Sequence, residues 1–214
     1  MTERTPLDRG ADVVTNLDDV QALVGEPRRE VLDKSLRELD PHCVHFLEIC
    51  PFLCISTSDG SGKADNSPRG DEPGFVRVLD PRTIVIPERI GNRRIDTLRN
   101  IVENPEVAII LFVPGVEETL RLNGRAEVLK PGSPSLKGLE VKNKAPLAGI
   151  RIRIEEVFFH CARALKRSQL WERSSQVDPG TFPKLGQVMR DQLKLKESAA
   201  EIQSGIDQGY RQLY

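Results

Sequence analysis

The stretch Thr83–Ile101 reads TIVIPERIGNRRIDTLRNI. A β-branched run (Thr83, Ile84, Val85, Ile86) stops at Pro87. A short basic turn with Arg89, Gly91, Asn92, Arg93 and Arg94 follows. Apolar residues then recur at Ile95, Leu98, Ile101 and Val102, a helical spacing. Strand, basic Gly-containing turn and helix start bring unpaired backbone N–H groups and guanidinium forks to one point. Such a point suits a phosphate. The segment matches neither GxxxxGK[ST] nor GxGxxG, so it is neither a nucleoside-triphosphate loop nor a Rossmann turn. Arg93 and Arg94 would sit at the positive end of a helix dipole, where cations are unfavourable unless they serve an anion. The plainer alternative is that they pair with Glu88, Asp96 or solvent.

Working outward, the rest of the middle reads as strands. Phe52–Thr57 is followed by the turn Ser58-Asp59-Gly60-Ser61-Gly62, with residues 63–69 as a hairpin partner. Phe75–Leu79 and Thr83–Ile86 flank a turn at Asp80-Pro81. Val107–Val113 is continuously apolar, as expected of a strand covered on both faces. Residues 119–129 alternate as a half-buried strand should, and residues 150–161 form another. Several short strands with one inserted helix predict a small closed or partly open β-barrel. Pro131–Pro146 reads as a polar loop.

The flanks read as helical. Residues 1–14 are expected to be disordered or peripheral. Apolar spacing from residue 16 to 39 predicts two helices broken at Gly25-Glu26-Pro27, with Asn16 as N-cap. Asp40-Pro41 opens a third, with Pro41 at its first position and Val44, Phe46, Leu47 and Ile49 on its buried side. The tail from Phe182 is helical but weakly apolar, and reads as a packing or dimer arm. This gives a helical extension at 1–40, a barrel domain at 41–175 and a helical tail at 176–214.

Composition excludes some roles. The net charge is −1 over 214 residues, with pI near 6.3. That argues against general nucleic-acid binding, which needs a basic surface. The amino-terminal segment lacks the apolar core of a signal peptide, and the longest apolar run is too short to span a bilayer. A cytoplasmic protein is expected, with Cys43, Cys50, Cys54 and Cys161 as reduced thiols and no CxxC pair. His42-Cys43 and His160-Cys161 have no second pair at zinc-ligand spacing, so no metal is expected. A second basic cluster runs from His160 to Ser168 and ends near Trp171. As a cationic hairpin with one aromatic it would cover a flat anionic ligand, and as a solvated loop it would leave Trp171 to the core. Arg69-Gly70-Asp71 reads as a strand end and turn. No Ser/His/Asp set is recognisable, and catalytic residues are left unassigned.

The ordered set of segments Phe52–Thr57, Asn66–Asp71 with Gly74-Phe75-Val76, Ile86–Arg94, Leu111–Gly115, Thr119–Ala126 and His160–Ser168 resembles the pyridoxamine 5′-phosphate oxidase-like, FMN-binding split-barrel flavoproteins. The resemblance spans roughly Phe46 to Trp171. It implies an α+β fold built on a six-stranded split β-barrel, and a homodimer with FMN at the subunit interface. It implies that Ser67, Pro68 and Arg69 lie along the flavin, with Ile86, Pro87 and Arg89 beside the ring and ribityl chain. Asn92, Arg93 and Arg94 would take the phosphate. Thr119 and Arg121 would reach the cofactor across the dimer, and Lys166, Arg167 and Ser168 would replace the family's carboxyl-terminal flavin contacts. The oxidases proper carry an arginine-bearing carboxyl-terminal motif for the substrate phosphate. Here that stretch is Arg163-Ala164-Leu165-Lys166-Arg167-Ser168, so the substrate is expected to differ. An FMN oxidoreductase is the reading. The alternatives are the same barrel holding the deazaflavin F420, a flavin- or haem-binding module without turnover, and a pyridoxal phosphate carrier.

Overall fold

The computed structural model describes Gly10 and residues 12–214. The expectation for residues 1–14 therefore lies mostly outside the described residues. The chain divides into two compact units at Ser35/Leu36.

In the first unit, α1 (Leu17–Val24) starts where the Asn16 side chain accepts from the Asp19 amide, and ends at Gly25 with φ 75°. The short α2 (Arg29–Asp33) follows. Neither helix buries a residue. The predicted second helix stops six residues before Leu39. Leu36 instead exchanges both backbone hydrogen bonds with Val157, at 2.9 and 2.8 Å, so sheet pairing displaces the helix there.

The second unit opens with α3 (Pro41–Ile49). Asp40 caps it by accepting from the Cys43 amide at 2.7 Å, and Pro41 stands where an N–H would go unpaired. Cys43, Phe46 and Leu47 form its buried side, while Ile49 is exposed. Seven strands follow: β1 (Phe52–Ser58), β2 (Ala64–Gly70), β3 (Arg77–Asp80), β4 (Thr83–Glu88), β5 (Glu106–Phe112), β6 (Thr119–Leu129) and β7 (Ala148–His160). They pair antiparallel in the order β2-β1-β5-β6-β7-β4-β3. The sheet has one strand more than the resemblance implies, because the short β3 pairs with β4. It is open, with β2 and β3 as its edges, and helices flank it.

Alternation decides which face is core. Leu53, Ile55, Ile84, Ile86, Ile109, Leu111, Leu120, Leu122, Ile150 and Ile152 are all buried in one cluster. Cross-strand register stacks them, with Ile86 opposite Ile150 and Leu111 opposite Leu120. The β6–β7 ladder slips between Asn123 and Gly124. A Cβ on Gly124 would stand 2.1 Å from the Arg153 carbonyl oxygen, so only glycine lets the two backbones approach there. Strand β5 is not covered on both faces. Val107, Ile109 and Leu111 are buried, but Ala108, Ile110 and Phe112 are only half-buried. The outward face around them also carries half-buried Cys54 and Phe158 and exposed Phe52.

Helix α4 (Asp96–Glu103) lies against β1, β2 and β6. Two side-chain hydrogen bonds pin it: buried Asn100 Nδ2 donates to Thr57 Oγ1 at 3.0 Å, and Asn104 Nδ2 to Ser58 Oγ at 2.8 Å. The loop of residues 131–146 is less polar than expected. Leu136 and Leu139 pack with Val85 and Leu129 as a second small core. Helix α5 (Arg163–Ser168) leads to α6 (Leu185–Leu193) and α7 (Ala199–Tyr210). The last two pair tightly: a Cβ on Gly186 would meet the Ala199 carbonyl oxygen at 2.6 Å. Among the described residues no helix is long and apolar enough to cross a membrane.

Candidate functional site

The polypeptide leaves β4 at Glu88 and reaches α4 only at Asp96, so residues 89–95 form a true loop. Arg93 and Arg94 therefore precede the helix rather than start it. Arg93 takes the left-handed region at φ 59°, which ends any helical run through it. Asn92 folds the loop on itself, its Oδ1 accepting from the Arg94 amide at 2.9 Å. The first turn of the helix is answered by Asp96, whose carboxylate takes bonds from Arg94 Nε and, at 2.7 Å, Arg99 Nη2. The Arg94 hydrogen bond holds the Asp96 carboxyl below the usual aspartate range. The pairing alternative for Arg94 is thus what this structure contains, although the arginine stays 76% exposed.

The loop borders a groove of about 910 Å³. Its floor is the seam between β2 and β4, strands that share no ladder. Ser67, Pro68 and Arg69 come from β2; Pro87, Arg89, Asn92 and Arg94 come from the end of β4 and its loop. Two ion pairs cross the seam. Arg69 Nε meets Glu88 Oε2 at 3.2 Å, and Arg69 also donates to Ser67 Oγ. Arg89 Nε meets Asp71 Oδ2 at 2.7 Å and its Nη1 reaches the Leu139 carbonyl at 2.8 Å. The Asp71 side chain is only 2% exposed. A third partner, Tyr214, donates its hydroxyl to Asp71 Oδ1 at 2.6 Å. Burial pulls the Asp71 carboxyl up, but the bonds from Tyr214 and Arg89 outweigh it and leave the group below the usual aspartate range. Asp71 in turn pushes the Tyr214 phenol above its ordinary value.

Seven predicted site residues therefore meet in one groove: Ser67, Pro68, Arg69, Pro87, Arg89, Asn92 and Arg94. The others lie elsewhere. Ile86 is fully buried in the core, and Arg93 is exposed and does not line the groove. Thr119 and Arg121 lie on β6, in register with His160 and Phe158 of β7. The Arg121 guanidinium stands 5.2 Å from the Phe158 ring centroid on the sheet's outward face. Thr119 is buried, and its Oγ1 is the one buried side-chain polar atom without a hydrogen-bond partner among the described residues. The second basic cluster is helix α5, not a hairpin. Lys166 pairs there with Glu117 at 2.6 Å and Ser168 Oγ donates to the Leu165 carbonyl. Lys166, Arg167 and Ser168 do not line the groove. Trp171 neither enters the core nor faces the groove; it is half-buried and donates from Nε1 to the Val116 carbonyl at 2.8 Å. No metal-holding group of His, Cys, Asp or Glu occurs among the described residues.

Sequence reasoning missed the acid that anchors Arg89 and the opposite wall. Asp71 was visible only as a turn residue after β2. The wall comes from the helical tail, through residues such as Leu185, Met189, Ile206 and Leu213. Its only advance signal was the apolar spacing of Leu185, Met189 and Ile206.

The groove floor lies within the part of the chain that has known relatives. Residues 39–161 match the pyridoxamine 5′-phosphate oxidase family. The chain belongs to that family. The match takes in β1 to β7 and the loop of Asn92 and Arg94, and leaves α6 and α7 outside. Nothing among curated proteins matches the chain. Among solved structures, HupZ of Group A Streptococcus is 19% identical, covering 56% of this chain and 93% of its own, with a TM-score of 0.47. General stress protein 26 of Bacillus anthracis is 15% identical, covering 55% and 93%, with a TM-score of 0.37. An F420 reductase is 20% identical, covering 54% and 94%, also at 0.37. Chemically, this family member's groove offers one cation-rich rim, an apolar floor at Pro68 and Pro87, and the Ser67 hydroxyl.

Proposed function

We propose that this chain is an FMN-binding oxidoreductase whose groove holds the cofactor by its phosphate. The observation that carries the reading is the convergence of Asn92 and Arg94 with Ser67, Pro68 and Pro87 around one groove, inside the region of family membership. The donors fit a phosphate monoester. Arg94 is an exposed guanidinium whose only anchor is a surface pair with Asp96, and such a pair is worth only about 0–1 kcal/mol. A phosphate can take over those donors at small cost. Arg69 and Arg89 have other duties, since Glu88 and Asp71 already neutralise them. They tie the β2 and β4 sides of the floor together across the seam. Pro68 and Pro87 present rigid apolar surface that a flat ring can lie against.

When bound, FMN supplies the hydride or single-electron chemistry that no side chain in the groove provides. The chain's own residues bind the phosphate, orient the ring and exclude water. The homodimer belongs to the same reading. The outward face with Phe52, Cys54, Ile110, Phe112 and Phe158 is half-exposed in one chain, and a second copy would cover it. Arg121 lies on that face and Thr119 carries an unsatisfied hydroxyl beside it. Both observations support their reaching a ligand across the dimer.

Titration with FMN and with F420, followed by absorbance and mass spectrometry of the released ligand, tests the proposal. Yellow protein carrying one FMN per chain is the expected result. Arg94→Ala should weaken FMN by about 1.5–3 kcal/mol, the worth of a charge-assisted hydrogen bond, or roughly 10- to 100-fold. Arg94→Lys should fall between, because it keeps charge but loses the fork. Colourless protein that takes up no FMN would sink the reading, and preferential uptake of F420 would replace it.

A further inference from the structure

The far wall of the groove is built by a part of the chain that lies outside the family match. Leu185 and Met189 come from α6, Ile206, Gly209 and Tyr210 from α7, and Gln212 and Leu213 from the segment beyond it. Every charged residue lining the groove lies on the floor or its loop; none comes from the tail. The wall is fixed at its end rather than along its length. The Tyr214 hydroxyl donates to nearly buried Asp71 at 2.6 Å, and the Arg89 guanidinium and Lys142 ammonium stand 5.9 and 5.3 Å from its ring centroid. Two cations near one ring and a charge-assisted bond to its hydroxyl make a strong local clamp. At Gly186 the two helices approach too closely for any side chain.

We propose that the helical tail is the substrate-side wall of the groove, that Tyr214 is the positioning residue holding it there, and that the molecule accepted against it is uncharged and largely apolar on the side it turns to the tail. The proposal rests on the flavin reading for what occupies the floor. A second phosphate has no counterpart on the tail, since the wall offers neither a cation nor a cluster of N–H donors. The apolar ring face of a planar neutral molecule loses water against Met189 and Leu213 without stripping a charge of its hydration.

Two measurements on the full chain without flavin test it. Amide hydrogen exchange should speed up at least ten-fold over residues 199–210 in Tyr214→Phe, with β1–β7 unchanged. Equal exchange in the two proteins would overturn the latch. In calorimetric titration with neutral 2,3-dimethyl-1,4-naphthoquinone, whose blocked ring carbons spare the exposed Cys161 thiol, the parent should bind and Met189→Glu should weaken binding at least ten-fold. Leu213→Gln, beyond the end of α7, makes the same test should Met189→Glu fail to fold. Quinone affinity equal in the variant and the parent would overturn the apolar wall. Neither measurement involves FMN, so failure of the flavin reading would be seen separately in the FMN titration.

Discussion

The four thiols differ in reactivity because their surroundings differ. Cys43 is 1% exposed, and burial, reinforced by the Asp40 carboxyl, pushes its thiol up to about 12. Burial raises Cys50 and Cys54 as well. Only Cys161 is exposed. Since the thiolate is the reacting form, iodoacetamide at pH 8 should label Cys161 in the native protein and reach Cys43 only after denaturation. Peptide mapping checks this, and fast native labelling of Cys43 would contradict its place on the buried side of α3. Residue-scale features set by neighbours in sequence were readable beforehand. Asn16 and Asp40 cap their helices as expected because a cap reaches only three residues. The Tyr214–Asp71 bond was not readable, since it joins positions 143 residues apart and no local pattern marks either partner.

At the scale of elements, the loop after β4 leads into α4, which is held by the buried Ile101 and by two amides, Asn100 and Asn104. Asn100→Ala would leave the buried Thr57 hydroxyl unpaired, at a cost of about 1–3 kcal/mol. In a chain of this size that lowers the unfolding midpoint by roughly 2–12 °C. Thermal denaturation followed by circular dichroism checks it; an unchanged midpoint would mean that Asn100 does not hold the helix. The strands were legible because alternation survives in sequence: Leu53 and Ile55, or Ile150 and Ile152, declare a face at once. The start of α4 was not. Helical spacing begins at Ile95, but the left-handed Arg93 and the Asn92–Arg94 turn are backbone events that apolar periodicity does not record. Leu36 misled in the opposite way. Its spacing was helical, yet pairing with Val157 won, a tertiary preference overriding a local one.

For the whole molecule, the sheet's outward face stands out as apolar surface that the chain itself leaves half-covered. The sequence of β5 reads as covered on both sides, while the isolated chain leaves Ile110 and Phe112 half-buried. A second copy of the chain, as proposed above, would reconcile the two. Stable interfaces bury about 1,600 Å² in total, and the face that Phe52, Phe112, Arg121 and Phe158 share runs across four neighbouring strands. Sedimentation should therefore find a dimer at micromolar concentration, and Ile110→Glu should shift it to monomer while the circular dichroism spectrum is kept. A monomeric parent chain would dismiss this use of the face. The seam has a different consequence. Because β2 and β4 share no ladder, the span of the groove is fixed by side-chain reach, through Arg69–Glu88 and Arg89–Asp71. Changing one of those side chains by a methylene resizes the opening without disturbing any strand register. The residues that set the span of the seam are thus separate from those that set the strand pairing.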